Sequence, residues 1–473
     1  MLVTVAERVE GRVLTERNAS ELARDRTQCR EITKLRLARV REAALKDREQ
    51  SFTALMHHLT PELLISSFYQ LRKQAAKGID GLTWQDYEGE LENRINDLHR
   101  RMHGGIYKPK PARRVYIPKG DGSKRPLSIQ CVEDKIAQLA VVTLLNQIYE
   151  TNFKGFSYGF RPGRGQHDAL DALTFGIVKR KVNWVLDLDI RQFFDTVEHE
   201  WLIQMLRHRV QDKRLIKLIT RWIKVGIADE GGKRHPAHLG VPQGAVISPL
   251  LANIYLHYVF DLWSHQWRVK KAKGDVVIVR YADDAVLGFQ SKWDANEYRA
   301  LLVQRLAKFG LVLHADKTRL IRFGRFAAQQ RAERGEGKPE SFDFLGFTHF
   351  CTKRKNGEFQ VGRKTSRKRL VKQIKAIQTE LRRRLHNPPR QTLAWLVRVV
   401  RGHMNYYAVP GNVVRLSLFR TEVVKRWFKL LRRRSQRTSV NWNWFSPWVN
   451  RFIPKVHIVH AYPEERFIAN HSK

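Results

Sequence analysis

Cysteine is scarce: Cys29, Cys131 and Cys351 are the only three in 473 residues, they lie far apart, and they form no CxxC pair. That spacing argues against a disulfide scaffold or a cysteine-built zinc module and fits a reducing compartment. No run of about 20 apolar residues occurs, and the N-terminus reaches charged residues before any sustained apolar core. A soluble, intracellular protein is expected, with no membrane partner. Glycine and proline are missing from the whole stretch Val13 to Thr60, which is rich in Arg and Glu, so residues 1–55 are expected to form a helical N-terminal extension. The most telling shortage is of acid, with 46 Asp+Glu against 87 Lys+Arg and a formal net charge of +41. Self-repulsion on that scale opposes folding unless a counter-charge binds. The cations are spread along the chain and interleaved with Trp, Tyr and Phe, which suits phosphate contacts combined with base stacking. Nucleic acid is therefore the expected partner, in preference to a membrane surface.

What the chain does have is 42% hydrophobic residues, enough to bury substantial cores over two to four domains. Between 56 and 355, apolar strand-like runs alternate with helical stretches. Strands are expected at Arg113 to Ile117, Trp184 to Ile190, Asp275 to Arg280, Ala285 to Phe289 and Leu320 to Phe323, and helices at Val132 to Tyr149, Trp201 to Arg209 and Asp294 to Lys308. The polar segment Gly324 to Glu340 is an expected exposed insertion. Over residues 356–473 the character changes. Leu370, Ile374, Ile377, Leu381 and Leu385 recur at helical spacing among Lys and Arg, followed by two more such segments and Arg432-Arg433-Arg434. This is the pattern of a basic helical bundle with one apolar face per helix.

Tyr281-Ala282-Asp283-Asp284 lies between two apolar runs, which places adjacent carboxylates at a hairpin. Asp is also an ordinary turn residue, so the pair alone admits a structural reading. A second acidic element, Asp187-Leu188-Asp189, lies upstream, and alternation puts both aspartates on one side of their strand. If the two elements are neighbours, up to four carboxylates crowd together, a cluster that cations must neutralise. Mg²⁺ suits hard oxygen ligands, and two such ions about 4 Å apart support in-line phosphoryl displacement. The chemistry implied is nucleotidyl transfer. Alternation does not decide which carboxylates coordinate, and Asp187 can equally lie behind the ligands.

The Tyr281 to Asp284 motif after an apolar strand, with Asp189 and then Phe194 five residues on, resembles the palm of a reverse transcriptase. Further blocks occur in order: Arg113 to Lys119 with Lys124 to Leu127, Phe156 to Pro162, Pro242-Gln243-Gly244 to Ser248-Pro249, His314 to Thr318, and Phe344 to Phe347. With Arg401 to Tyr407 and Trp427 to Ser435 these resemble the reverse transcriptase/maturase proteins of bacterial group II introns, over roughly residues 55–465. The resemblance implies an α+β right-hand polymerase whose fingers and palm, with an antiparallel sheet, precede an α-helical thumb or maturase domain. It also implies RNA-directed DNA polymerase activity with two Mg²⁺ ions. The expected partners are deoxynucleoside triphosphates, an RNA template, a DNA primer or target, and the intron RNA whose splicing and retrohoming the protein assists. The expected location is the bacterial cytoplasm, at the nucleoid during DNA targeting. Many relatives carry a zinc-containing HNH endonuclease after the thumb, and the sequence holds no Cys pairs for one, so cleavage of a target strand is not expected.

By position, the resemblance assigns metal binding and catalysis to Asp189, Asp283 and Asp284, and a steric gate against ribose to Phe194, whose alternative is a core role beside Phe193. Gln243 is assigned to the incoming nucleotide, in a turn whose glycine permits close backbone approach. Lys119 and Arg125 flank Gly120-Asp121-Gly122 and are expected on the triphosphate or on template backbone. Lys317 matches a lysine near the leaving pyrophosphate, as general acid or as a plain phosphate contact. Trp442, Trp444 and Trp448 are expected to pack, with stacking on RNA as the alternative. Two other roles fit the same blocks: a splicing cofactor without polymerase activity, and a domesticated enzyme of phage defence or DNA repair.

Overall fold

The computed structural model describes residues 31, 33–118, 124–229, 234–434 and 440–471. In chain order the strands are β1 (Ala112–Pro118), β2 (Lys124–Ile129), β3 (Trp184–Asp189), β4 (Ile227–Ala228), β5 (Arg234–His235), β6 (Val276–Tyr281), β7 (Asp284–Phe289), β8 (Arg319–Arg322), β9 (Phe342–Phe344), β10 (Phe347–Lys353) and β11 (Phe359–Thr365). They form three sheets ordered β2-β1-β4-β5, β6-β7-β3-β8 and β11-β10-β9. The expected mixed α+β architecture with an antiparallel central sheet and a helical C-terminal region is observed.

The middle sheet is antiparallel throughout, and it is buried on both faces, since nearly every residue of β7 after Asp284 is enclosed. This explains why β6 and β7 read as continuous apolar runs rather than alternating ones. On one side lie the helices Val132–Tyr149, Ser248–Leu256 and Lys292–Ala307, whose Leu144, Tyr255 and Tyr298 enter the larger core. On the other side the helix Gln166–Lys179 joins a second core shared with the C-terminal bundle. Gly176 of that helix lies so close to Val277 that a Cβ would fall 2.6 Å from its Cγ1, so helix and β6 pack at backbone range.

The C-terminal helices Arg367–Arg383, Pro389–Tyr407 and Val413–Arg432 bury the apolar stripe expected of them, around Trp427, and turn their Lys and Arg outward. Two features lie outside the expected pattern. The segment 342–365 is a three-stranded sheet, so a division at 355/356 falls in the turn between β10 and β11. After the helix Trp442–Phe452 the chain also returns to the centre. Its last helix, Pro463–His471, lies on Gln166–Lys179 through Arg466 to Asp171, Asn470 to Asp168 and the stacked rings of Phe467 and Phe175.

Of the N-terminal extension, a helix covers residues 33–46, with Leu37, Val40 and Ala44 buried. Arg209 holds the adjoining segment, donating from Nε to the Gln50 carbonyl at 2.8 Å and from Nη1 to that of Arg48. Residues 1–30 of the expected extension lie outside the described residues. Among the described residues, no helix is long and apolar enough to cross a membrane.

Candidate active site

The hairpin β6–β7 closes in a two-residue loop, Ala282–Asp283, with Tyr281 paired to Asp284. Ala282 is forced to φ +58°, a left-handed conformation that costs an L-residue free energy and persists only where the surroundings hold it. On the neighbouring strand β3, Asp189 is the direct partner of Asp284, and Asp187 stands two residues back on the same face, opposite Val286. The expected convergence of the two acidic elements is therefore a consequence of sheet register.

The electrostatics reflect that proximity. Asp284 reaches solvent but is crowded by protein, and loss of hydration together with the charges of Asp283, Asp189 and Asp187 pushes its carboxyl up to about 7. Asp187 is pushed up to about 6, chiefly by burial, against the pull of Arg319, whose Nη2 lies 3.8 Å away. Lys317 donates from Nζ to Asp189 Oδ2 at 2.9 Å, so a cation already faces this carboxylate. Among the described residues, no three acidic, histidine or cysteine side chains form a closed metal-holding group. The donors that face one another are hard carboxylate oxygens whose repulsion a divalent cation would relieve, which fits Mg²⁺ better than a softer metal.

Beside the carboxylates, Gln192 takes φ +46° and turns the chain sharply after β3, opening the short helix Phe193–Thr196. Phe193 is buried, whereas Phe194, half-buried, lines a cleft of about 460 Å³ together with Gln243, Asp195, Arg114 and Ser128. Gln243 is drawn into this wall from both ends: its Nε2 donates to both Asp195 oxygens at 3.1 Å, and its backbone carbonyl accepts from Ser128 N–H at 2.7 Å. Gly244 needs its φ of +103° and its missing side chain there, because a Cβ would fall 2.8 Å from the Ser128 carbonyl oxygen.

The structure thus brings together Asp189, Asp283, Asp284 and Lys317, and sets Phe194 and Gln243 in a neighbouring wall. Lys119 lies outside the described residues. Arg125 is seen only in its backbone pairing with Ile117, on the β1–β2 hairpin that also contributes Arg114 and Ser128 to the cleft. The sequence reading missed Asp195 and Arg319. Their signal was weak, since each is a charged residue one position from a motif residue. A second, larger concavity of about 1020 Å³ lies away from the carboxylates, where Lys108, Arg207, Lys213, Lys217 and Lys224 form a basic lining. Trp442 and Trp444 pack as expected, edge-on against Phe428 and stacked on Trp448 respectively, while each keeps an exposed face, and Trp448 rests against Trp427.

An antiparallel sheet that presents facing carboxylates from a strand and a hairpin, followed by a helical bundle, defines the palm and thumb of a right-hand polymerase. The reverse transcriptase (RNA-dependent DNA polymerase) family matches residues 117–349. Protein YkfC of Escherichia coli (strain K12) is 35% identical over 280 residues, covering 51% of this chain and 71% of that protein. The group II intron-encoded protein LtrA of Lactococcus lactis subsp. cremoris is 34% identical over 225 residues, 47% of this chain and 37% of LtrA. A putative COX1/OXI3 intron 1 protein of Saccharomyces cerevisiae is 29% identical over 306 residues, 54% of this chain and 36% of that protein. The chain belongs to the reverse transcriptase family and is similar to group II intron-encoded proteins. It spans little more than a third of the length of the two intron proteins.

Proposed function

We propose that the protein synthesises DNA on an RNA template at the β3–β7 cleft, and that it binds group II intron RNA, assisting splicing and priming synthesis at a DNA target. Asp189, Asp283 and Asp284 are assigned to two Mg²⁺ ions. Once bound, these would activate the primer 3′-hydroxyl and stabilise the leaving oxygen of the triphosphate. Phe194 would lie under the incoming sugar and exclude a 2′-hydroxyl, and Gln243 would bond the nucleotide from the same wall. The Lys317 ammonium, already at the Asp189 carboxylate, can hold or release a proton at the pyrophosphate side. Lys119 and Arg125 are assigned to the triphosphate from the β1–β2 hairpin. The exposed cationic faces of the C-terminal helices and the basic concavity on the fingers side supply phosphate contacts for structured RNA.

The observation that carries this reading is the register pairing of Asp189 with Asp284 beneath a strained hairpin, with Phe194 and Gln243 in the adjoining wall. Asp283→Ala is expected to abolish primer extension on an RNA template while leaving RNA binding intact. Retained extension would overturn the assignment. The RNA partner is tested by sequencing co-purified RNA and by splicing at low Mg²⁺ with and without protein. If no intron is enriched and splicing is unchanged, the maturase role falls.

A further inference from the structure

Directly beneath the hairpin lies a charged pair that none of the assigned roles uses. Arg280, the last residue but one of β6, is 1% exposed, and Asp261 is fully buried. Arg280 Nε donates to Asp261 Oδ1 at 2.7 Å and Nη2 to Oδ2 at 2.6 Å, a bidentate pair. The remaining donors are also occupied: Nη2 to Ser157 Oγ at 2.7 Å, and Nη1 to Asn253 Oδ1 at 3.1 Å and to the Ala282 carbonyl at 2.9 Å. A guanidinium has five N–H donors, and all five are used here. One of them ends on the strained residue of the catalytic loop.

The same network reaches the loop from its other side. The Arg280 backbone N–H donates to the Phe156 carbonyl and its carbonyl accepts from Tyr158 N–H, both at 2.9 Å. Asn253 Nδ2 donates to the Gly159 carbonyl at 2.7 Å. Gly159 in turn lies flat against the loop, where a Cβ would run into the backbone nitrogen of Ala282. Asp261 ends a π-helical turn, His257–Asp261, set between the α-helices Ser248–Leu256 and Leu262–Lys270. Such a turn carries one extra residue, which rotates the later residues by about 100° relative to an uninterrupted α-helix. Two segments distant in sequence, 156–159 and 253–261, thus converge with Arg280 to hold one peptide.

We propose that Arg280 and Asp261 are positioning residues for the metal site: their pair fixes the Ala282 peptide in its left-handed conformation and so sets Asp283 and Asp284 against Asp189. The inference rests on the polymerase reading above, with Asp283→Ala as the control for that reading. A purely structural ion pair can be exchanged for apolar residues without loss of catalysis, since its role ends at stability. Positioning cannot be exchanged in this way, since no apolar side chain donates to the Ala282 carbonyl.

The test is the double variant Arg280→Met/Asp261→Leu in the full chain. Three quantities are read: thermal midpoint, kcat and KM for primer extension, and Mn²⁺ binding in the absence of nucleotide by electron paramagnetic resonance. Positioning predicts a parental template-primer KM with kcat and Mn²⁺ affinity each reduced by about 10–100-fold, the usual loss for residues that orient metal ligands, and a lowered midpoint because Ser157, Asn253 and the Ala282 carbonyl lose their donor. A folded double variant with parental kcat and Mn²⁺ affinity, whatever its midpoint, would overturn the proposal. Should it fail to fold, Arg280→Lys decides instead, since it keeps the charge beside Asp261 but has three donors in place of five and no planar fork to reach the Ala282 carbonyl. A joint fall of Mn²⁺ affinity and kcat supports the proposal, and parental values overturn it. If Asp283→Ala itself keeps parental Mn²⁺ binding and synthesis, the polymerase reading fails, which is a separate outcome.

Discussion

Asp171, on the helix Gln166–Lys179, is where three distant parts of the chain meet, and its removal has a predictable cost. Its Oδ1 accepts from Arg363 Nη1 of β11 at 3.1 Å and from Arg466 Nη2 of the last helix at 2.7 Å, and Arg466 also reaches Oδ2 at 2.6 Å. Arg363 and Asp171 are almost wholly enclosed at 2% and 3% side-chain exposure, whereas Arg466 keeps 18%. Asp171→Ala leaves the buried Arg363 uncompensated, which costs about 3–5 kcal/mol. Arg466→Ala leaves the enclosed Asp171–Arg363 pair intact and loses the charge-assisted contacts to the two Asp171 oxygens from a less enclosed side chain, about 1–3 kcal/mol. Urea unfolding followed by tryptophan fluorescence measures both, with Asp171→Ala expected to shift the midpoint more at unchanged slope. Equal losses, or an Asp171→Ala loss under about 1 kcal/mol, would refute the view that enclosure of Arg363 sets the energy.

Three further outcomes are expected. His349 is fully buried with its ring stacked on Phe342 at 4.8 Å, and burial pushes its imidazole down to about 3. Because the folded value lies below the unfolded one, stability is complete above about pH 6.5 and falls as pH drops toward 3, by about 2 kcal/mol at pH 5. His349→Phe should remove that share of the acid sensitivity in urea melts at pH 7.5 and 5.0, and parallel profiles for parent and variant would contradict it. Phe194→Val should admit ribonucleotides, lowering discrimination on the order of 10–100-fold in single-nucleotide incorporation, since a missing group in a shaped wall is worth that much. Unchanged sugar selection would return Phe194 to the core beside Phe193. RNA affinity should fall steeply and log-linearly with salt, and a shallow slope would count against phosphate as the main contact for the +41 chain.

Much of this molecule was legible in its residues because its central elements obey one rule each. The run from Val132 to Tyr149 is a helix at the expected bounds, and the strands around the aspartates fall where apolar runs meet turn residues. The facing of Asp189 and Asp284 needed only period-two alternation and an adjacent pairing. The insertion at Gly324 to Glu340 is less open than its composition suggested, since Ala327–Ala332 is a short helix with Ala327 buried. What could not be read depends on distant partners. The strands β9 to β11 are short, polar on one face and stabilised by pairing with each other and by the second core. Arg280 looked like one more cation in a basic chain. Only the fold supplies Asp261, Asn253 and Ser157 to meet it, so its burial had no local signal.

The anchoring of the N-terminal segment by Arg209 has a consequence in time. Arg209 lies about 160 residues beyond the carbonyls it grips. At a synthesis rate of roughly 5–20 residues per second, the helix over 33–46 leaves the ribosome about 8–30 s before its anchor exists. Through that interval the segment over 48–50 lacks the guanidinium that fixes it. The dense positive charge of the N-terminal segment keeps nascent chains apart while it waits. The excess of Lys and Arg thus serves the birth of the protein before it serves any nucleic acid.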